Sequence, residues 1–370
     1  MQAAVQARSS AWTLALIFTG LVLYASLYPF EGWRAQGVSP LAFLWAPWPQ
    51  YWTGFDLWSN LVGYMPLGFL LALGMMRAGW GAWSWPLAVL WSLLLTLLVE
   101  TVQNYLPMRV PSNVDLGLNA AGALVGASAA WVLQRLGALR RWSQFRADWF
   151  FPQAHGGLVL LALWPAALLY PASVPFGLGQ VWERLEAGLV RLLADTPFLA
   201  WVPLRADEAL PLSPLAEAFC IALGLLAPLL MGYADLRSVG RRGVFLVMLF
   251  ACALGVSGLS SALTYGPSHA WSWITPQAGV GMGLALLLGL LCLTLPVRLC
   301  HVGLLLSLAV SLSLLNRAPV SPYFAQSLQV WEQGQFIRFH GLSQWLGWAW
   351  PFAALWLCVR ALARPPGRAD

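Results

Sequence analysis

The chain has 370 residues, 59% of them apolar and only 9% charged, with 23 tryptophans and a mean hydropathy of +0.69. A soluble domain carries about 25% charged residues and cannot bury so much apolar surface in one core, which excludes a cytosolic enzyme, a secreted disulfide scaffold and a disordered chain. The net charge of +6 is the excess of 20 basic residues, all arginine, over 14 acidic ones, and their distribution reads as membrane topology; no nucleic-acid partner is implied.

A helix that crosses a bilayer needs about 20 mostly apolar residues. Ten such runs follow one another: Trp12–Tyr28, Trp58–Met76, Trp85–Tyr105, Leu116–Leu136, His155–Tyr170, Pro214–Tyr233, Val244–Thr264, Ala278–Pro296, His301–Leu315 and Leu342–Arg360. Residues 1–28 have the outline of a signal peptide, but no small-residue cleavage site follows the apolar run, so they read as a retained first span. With the N-terminus inside, Arg8, Arg77, Arg135, Arg140, Arg141, Arg146, Arg237, Arg241, Arg242, Arg298, Arg360, Arg364 and Arg368 all fall on the cytoplasmic side. Every acidic residue except Asp148, Asp235 and Asp370 then falls in outer segments or the adjoining helix ends. The predicted fold class is therefore all-α: a polytopic integral membrane protein of about ten transmembrane helices with both termini cytoplasmic. The absence of lysine, with abundant Ala, Gly, Pro and Leu, suits a G+C-rich bacterial genome and hence a bacterial inner membrane.

Four regions are predicted. A four-helix membrane unit covers 1–136, and a basic aromatic linker helix covers 137–153. A second four-helix unit covers 154–297, and two further helices occupy 298–370 with an outer loop at 316–340. The linker, with Arg140, Arg141 and Arg146 among Trp142 and Trp149, reads either as a helix lying on anionic lipid or as a plain connection. The segment Leu178–Arg191 is amphipathic and predicted to lie on the outer interface. Tyr24 to Pro29-Phe30 after the first span is echoed by Tyr170 to Pro175-Phe176 after the fifth. The second unit thus reads as a degenerate copy of the first, with generic helix similarity as the alternative.

Familiar chemistry is missing. Cys220, Cys252, Cys292, Cys300 and Cys358 lie in or beside apolar spans without a C-x-x-C pair, as structural thiols do. The four histidines are scattered, no lysine is present for a P-loop, and no G-x-S-x-G elbow occurs. No catalytic group, metal or cofactor is assigned.

Polar residues gather instead at the outer ends of spans two to four. Asp56 and Asn60 share one helical face, which Gly63 and Tyr64 continue, and Pro66 frees a backbone carbonyl deeper in that helix; Gly63 and Pro66, with Gly122 and Gly126 of the fourth span, are the expected helix-packing positions. Glu100 and Gln103 share a face near the end of the third span, and Arg109 stands in the loop that follows. Asp115, Asn119, Gly122 and Gly126 then recur at i, i+4, i+7 and i+11, a stripe that lets another helix approach closely and turns its polar end toward that neighbour. Ser112 with Asp115 reads as a capping box, with Asp where Glu or Gln is usual. Arg109 alone cannot neutralise Asp56, Glu100 and Asp115, so the set predicts protonated carboxylates or a site for a cation or a positively charged ligand group. The alternative is a polar staple that only holds three helices together.

The run of Asn60 with Pro66-Leu67-Gly68, Glu100 with Gln103, Arg109, and Asp115 with Asn119 and Gly122 resembles the VanZ-like family over residues 45–135. The resemblance implies a cell-envelope role. The family's founding member gives low-level resistance to teicoplanin, a lipoglycopeptide that binds peptidoglycan precursors outside the membrane. One departure is Asn113, where the family often has a second acidic residue. The implied partners are the lipid bilayer and a lipid-linked envelope precursor. A small-solute or lipid transporter is one alternative, although transporters place charge near the midplane and here it stays in the outer third. A non-catalytic scaffold for envelope-polysaccharide synthesis is the other.

Overall fold

A computed structural model of the chain describes residues 10–28, 30–48, 54–170, 172–201, 211–319 and 337–363. The side chain of Asp56 and most of the predicted outer loop at 316–340 lie outside the described residues. The helices are α1 (Ser10–Leu27), α2 (Gly54–Arg77), α3 (Ser84–Gln103), α4 (Asn113–Arg135), α5 (Ala138–Trp149) and α6 (His155–Leu168), followed by α7 (Trp182–Leu193), α8 (Pro214–Asp235), α9 (Val239–Tyr265), α10 (Pro276–Leu291), α11 (Val297–Leu315) and α12 (Ile337–Leu362). No β-strand occurs among the described residues; one isolated bridge pairs Phe150 with Leu236.

Eight of these helices are long and apolar enough to cross a membrane, so the chain is a polytopic all-α membrane protein. The other two predicted spans are shorter apolar helices, Ala11–Leu27 and His155–Leu168. At 14 residues, α6 is about 21 Å long against a hydrocarbon core of about 30 Å. Its chain leaves the helix at Leu169 and turns across the end of its bundle instead of continuing outward.

The chain forms two compact units, Met1–Asp148 and Trp149–Asp370. In the first, α4 lies backbone to backbone on α2. A Cβ at Gly122 would overlap the carbonyl of Leu61, one at Gly126 the carbonyl of Met65, and one at Gly68 of α2 the backbone of Ala123. Membrane helices gain no hydrophobic driving force from each other in lipid, and small residues that admit such close packing take its place. A Cβ at Gly63, by contrast, meets nothing within 4 Å, and Pro66 lies on the exposed side of α2. The close approach expected at Gly63 falls on Gly68.

In the second unit α8 is the central helix, buried along nearly its whole length. Its Tyr233 hydroxyl donates to the Gly289 carbonyl of α10 (3.1 Å), and Trp350 Nε1 of α12 donates to the Leu160 carbonyl of α6 (2.7 Å). Arg242, 7% exposed, donates from Nη1 to the carbonyls of Leu293 (2.9 Å) and Leu295 (2.7 Å), where a cation suits the C-terminal end of α10. The five cysteines are free, with Cys220, Cys300 and Cys358 buried.

Among the described residues, Phe30 (φ 64°) and Phe176 (φ 61°) are the non-glycine residues with positive φ. Each is the Phe of one of the two similar Pro-Phe segments, three residues beyond the end of α1 and eight beyond the end of α6.

Candidate functional site

The polar residues of the first unit meet where α2 begins, α3 ends and α4 begins. Ser112 is the N-cap of α4: its Oγ accepts from the N–H groups of Val114 (3.2 Å) and Asp115 (3.4 Å). In a capping box the residue at Asp115 would return a bond to the Ser112 N–H. Here Glu100 of α3 takes that donor with Oε2 at 2.9 Å. Asp115 is thereby released to accept from Asn60 Nδ2 of α2 at 2.7 Å. One helix start thus gathers a carboxyl group from α3, one from α4 and an amide from α2, at the end of the helix dipole that favours negative charge.

Glu100 is 3% exposed and sits close enough to Asp115 and Arg109 to feel both charges, while Asp115 is half-buried. Asp115 is therefore the more accessible of the two carboxylates. One turn deeper, Asn119 Nδ2 donates to Thr96 Oγ1 at 2.9 Å, and the Tyr64 hydroxyl is buried beside the same pair. Asn119 Oδ1 and the Tyr64 hydroxyl are buried without a partner in hydrogen-bond geometry.

Gln103 and Arg109 act on α1. Gln103 Nε2 donates to the Ser26 carbonyl at 2.9 Å. Arg109 donates from Nε and Nη2 to the Tyr28 carbonyl (3.0 and 2.5 Å) and from Nη2 to that of Ala25 (3.1 Å). The guanidinium thus covers the last carbonyls of α1, the end of the helix dipole that prefers a cation.

Two features escaped the sequence reading. Thr96 belongs to a buried polar stripe, Ser92, Thr96, Glu100 and Gln103, whose spacing alone marks one face of α3. The segment 30–48 shows no periodicity, yet it straps the open end of the unit. Arg34 N–H donates to the Tyr105 carbonyl (3.0 Å), Gln36 Nε2 to that of Asn104 (2.9 Å), and Phe43 is buried. The departure at Asn113 fits this strap: its Nδ2 donates to the Ala46 carbonyl at 2.7 Å, a bond that an ionised aspartate has no proton to make.

Among the described residues no group of three His, Cys, Asp or Glu side chains is placed to hold a metal ion. No curated protein and no solved structure matches the chain. Residues 5–134, which contain every side chain of this cluster, match the VanZ/LLP1 family model, and the N-terminal part of this membrane protein is therefore VanZ-like.

Proposed function

We propose that the protein serves the bacterial cell envelope from the inner membrane, and that its Asp115–Glu100 cluster opens to the outer face and holds the head group of an envelope lipid or peptidoglycan precursor. The observation that carries this reading is the meeting of two carboxylates and an amide at one helix start, at the head of the tightest helix seam of the unit. Such a site favours a ligand with an ammonium group, which meets Asp115 first. The arginine distribution supports the outward orientation, since the basic segments between helices concentrate at the opposite ends of α2, α3 and α4, near Arg77 and Arg135. By the family resemblance, the protein is expected to lower susceptibility to teicoplanin.

The test is glycopeptide susceptibility of a sensitive host expressing the wild type or Glu100→Ala at matched membrane levels. The expected result is teicoplanin tolerance in the wild type alone, with vancomycin susceptibility unchanged in both. A wild type without effect despite good insertion, or a Glu100→Ala variant as protective as the wild type, overturns the reading.

A further inference from the structure

The second unit carries a pocket that the VanZ-like cluster does not use. After α6 the chain crosses the end of its bundle and is locked there. Gln180 Nε2 donates to the carbonyls of Leu315 (3.1 Å) and Ala318 (3.0 Å) and its Oε1 accepts from Ser173 Oγ (2.6 Å). Asn316 Oδ1 accepts from the N–H groups of Val181 and Trp182 (2.9 Å each) and so caps the start of α7. What this leaves is a cleft between the crossing segment, α7 and α12, lined by Tyr170, Ser173, Gln180, Arg184, Gln344 and Trp348 among glycine and alanine backbone.

Ser173 and Gln180 are committed to holding the crossing segment. Arg184, whose guanidinium lies over the Trp348 ring at 5.2 Å, and Gln344 supply donors to the cleft, with the Tyr170 hydroxyl alongside. None of the described residues lining it is acidic. A tyrosine phenol is protonated near pH 7, so Tyr170 is a neutral donor. Among its described residues the cleft offers one cation, neutral donors and no carboxylate, a lining that selects an anion, and a guanidinium fork matches phosphate geometry.

The depth of the cleft narrows the source of that anion. Trp182, Leu185, Leu189 and Leu192 of α7 recur on one face and are all exposed, while Arg184 and Arg191 lie off that stripe. A helix of this kind lies in the plane of the membrane interface. Arg298 and Arg360 stand at the far ends of α11 and α12 from the cleft, which puts it on the outer side.

We infer that this cleft binds the phosphate of a membrane amphiphile at the outer interface, with Arg184 as the anion clamp and Gln344 and Tyr170 as neutral donors. The inference does not depend on the function proposed for the first unit.

It is tested by titrating the full chain in a non-ionic detergent with radiolabelled dodecyl phosphate. Saturable binding is expected, weakened about tenfold or more by Arg184→Gln and unchanged by Arg191→Gln on the same helix outside the cleft. Gln344→Ala weakens it less and keeps the test decisive if Arg184→Gln fails to fold. Inorganic phosphate is expected to compete poorly; if it competes as well as dodecyl phosphate, the site takes free phosphate and the membrane source is refuted. Undiminished binding in Arg184→Gln, or equal loss in Arg191→Gln, overturns the assignment.

Discussion

Replacing Gly126 with valine is expected to pry α4 from α2 and to destabilise the first unit by about 1–3 kcal/mol, the usual cost of forcing extra atoms into a filled contact. The reason is that the new Cβ meets the Met65 carbonyl, a backbone atom that cannot swing aside, so the helices themselves must separate. Separation also stretches the 2.7 Å bond between Asn60 and Asp115 at the head of the same seam. Thermal unfolding of the protein in detergent measures the cost. Gly63→Ala and Gly117→Ala are the matched controls, because neither Cβ meets anything within 4 Å and alanine suits a helix better than glycine by roughly 1 kcal/mol. A Gly126→Val protein as stable as these controls would contradict the packing described.

In the second unit Trp350→Ala should have the largest effect. Trp350 is 4% exposed, fills the space between α12 and α6, and ties them through its indole N–H to the Leu160 carbonyl. In water-soluble cores a Trp→Ala change costs about 3–5 kcal/mol. In a bilayer the part owed to water transfer falls away, leaving the cavity and the lost hydrogen bond, about 2 kcal/mol or more. Trp350→Phe, which keeps much of the ring but loses the donor, should cost about 1 kcal/mol. Titrating folded protein with a denaturing detergent measures both, and equal stability of the two variants would refute the split between packing and hydrogen bonding.

How far the sequence could be read depended on whether a feature was periodic. The α4 stripe of Asp115, Asn119, Gly122 and Gly126 was legible because its spacing alone puts those residues on one face. The facing surface of α2 was not. Gly63 and Gly68 are five residues apart, about 140° around a helix, and only the crossing geometry decides which one meets α4. The polar cluster was legible as a set, and its wiring was not: composition cannot say that Glu100 completes the cap of α4 so that Asp115 is left for Asn60. The strap at 30–48 is held by side chains bonded to distant carbonyls, such as Gln36 to Asn104, and such bonds leave no local pattern. The shortness of α6 was hidden for a related reason. Its apolar run continues to Tyr170, but the backbone turns at Leu169 to join the bundle end.

If the carboxylate cluster holds a head group, the lipids that co-purify with the chain from growing bacterial membranes will include its ligand. Asp115→Asn is the informative comparison, because the amide oxygen still accepts from Asn60 while the negative charge is gone. A lipid-linked peptidoglycan precursor is expected to be retained by the wild type and lost from Asp115→Asn at an unchanged melting temperature. Equal recovery from both proteins, or none from either, would contradict head-group binding by the cluster.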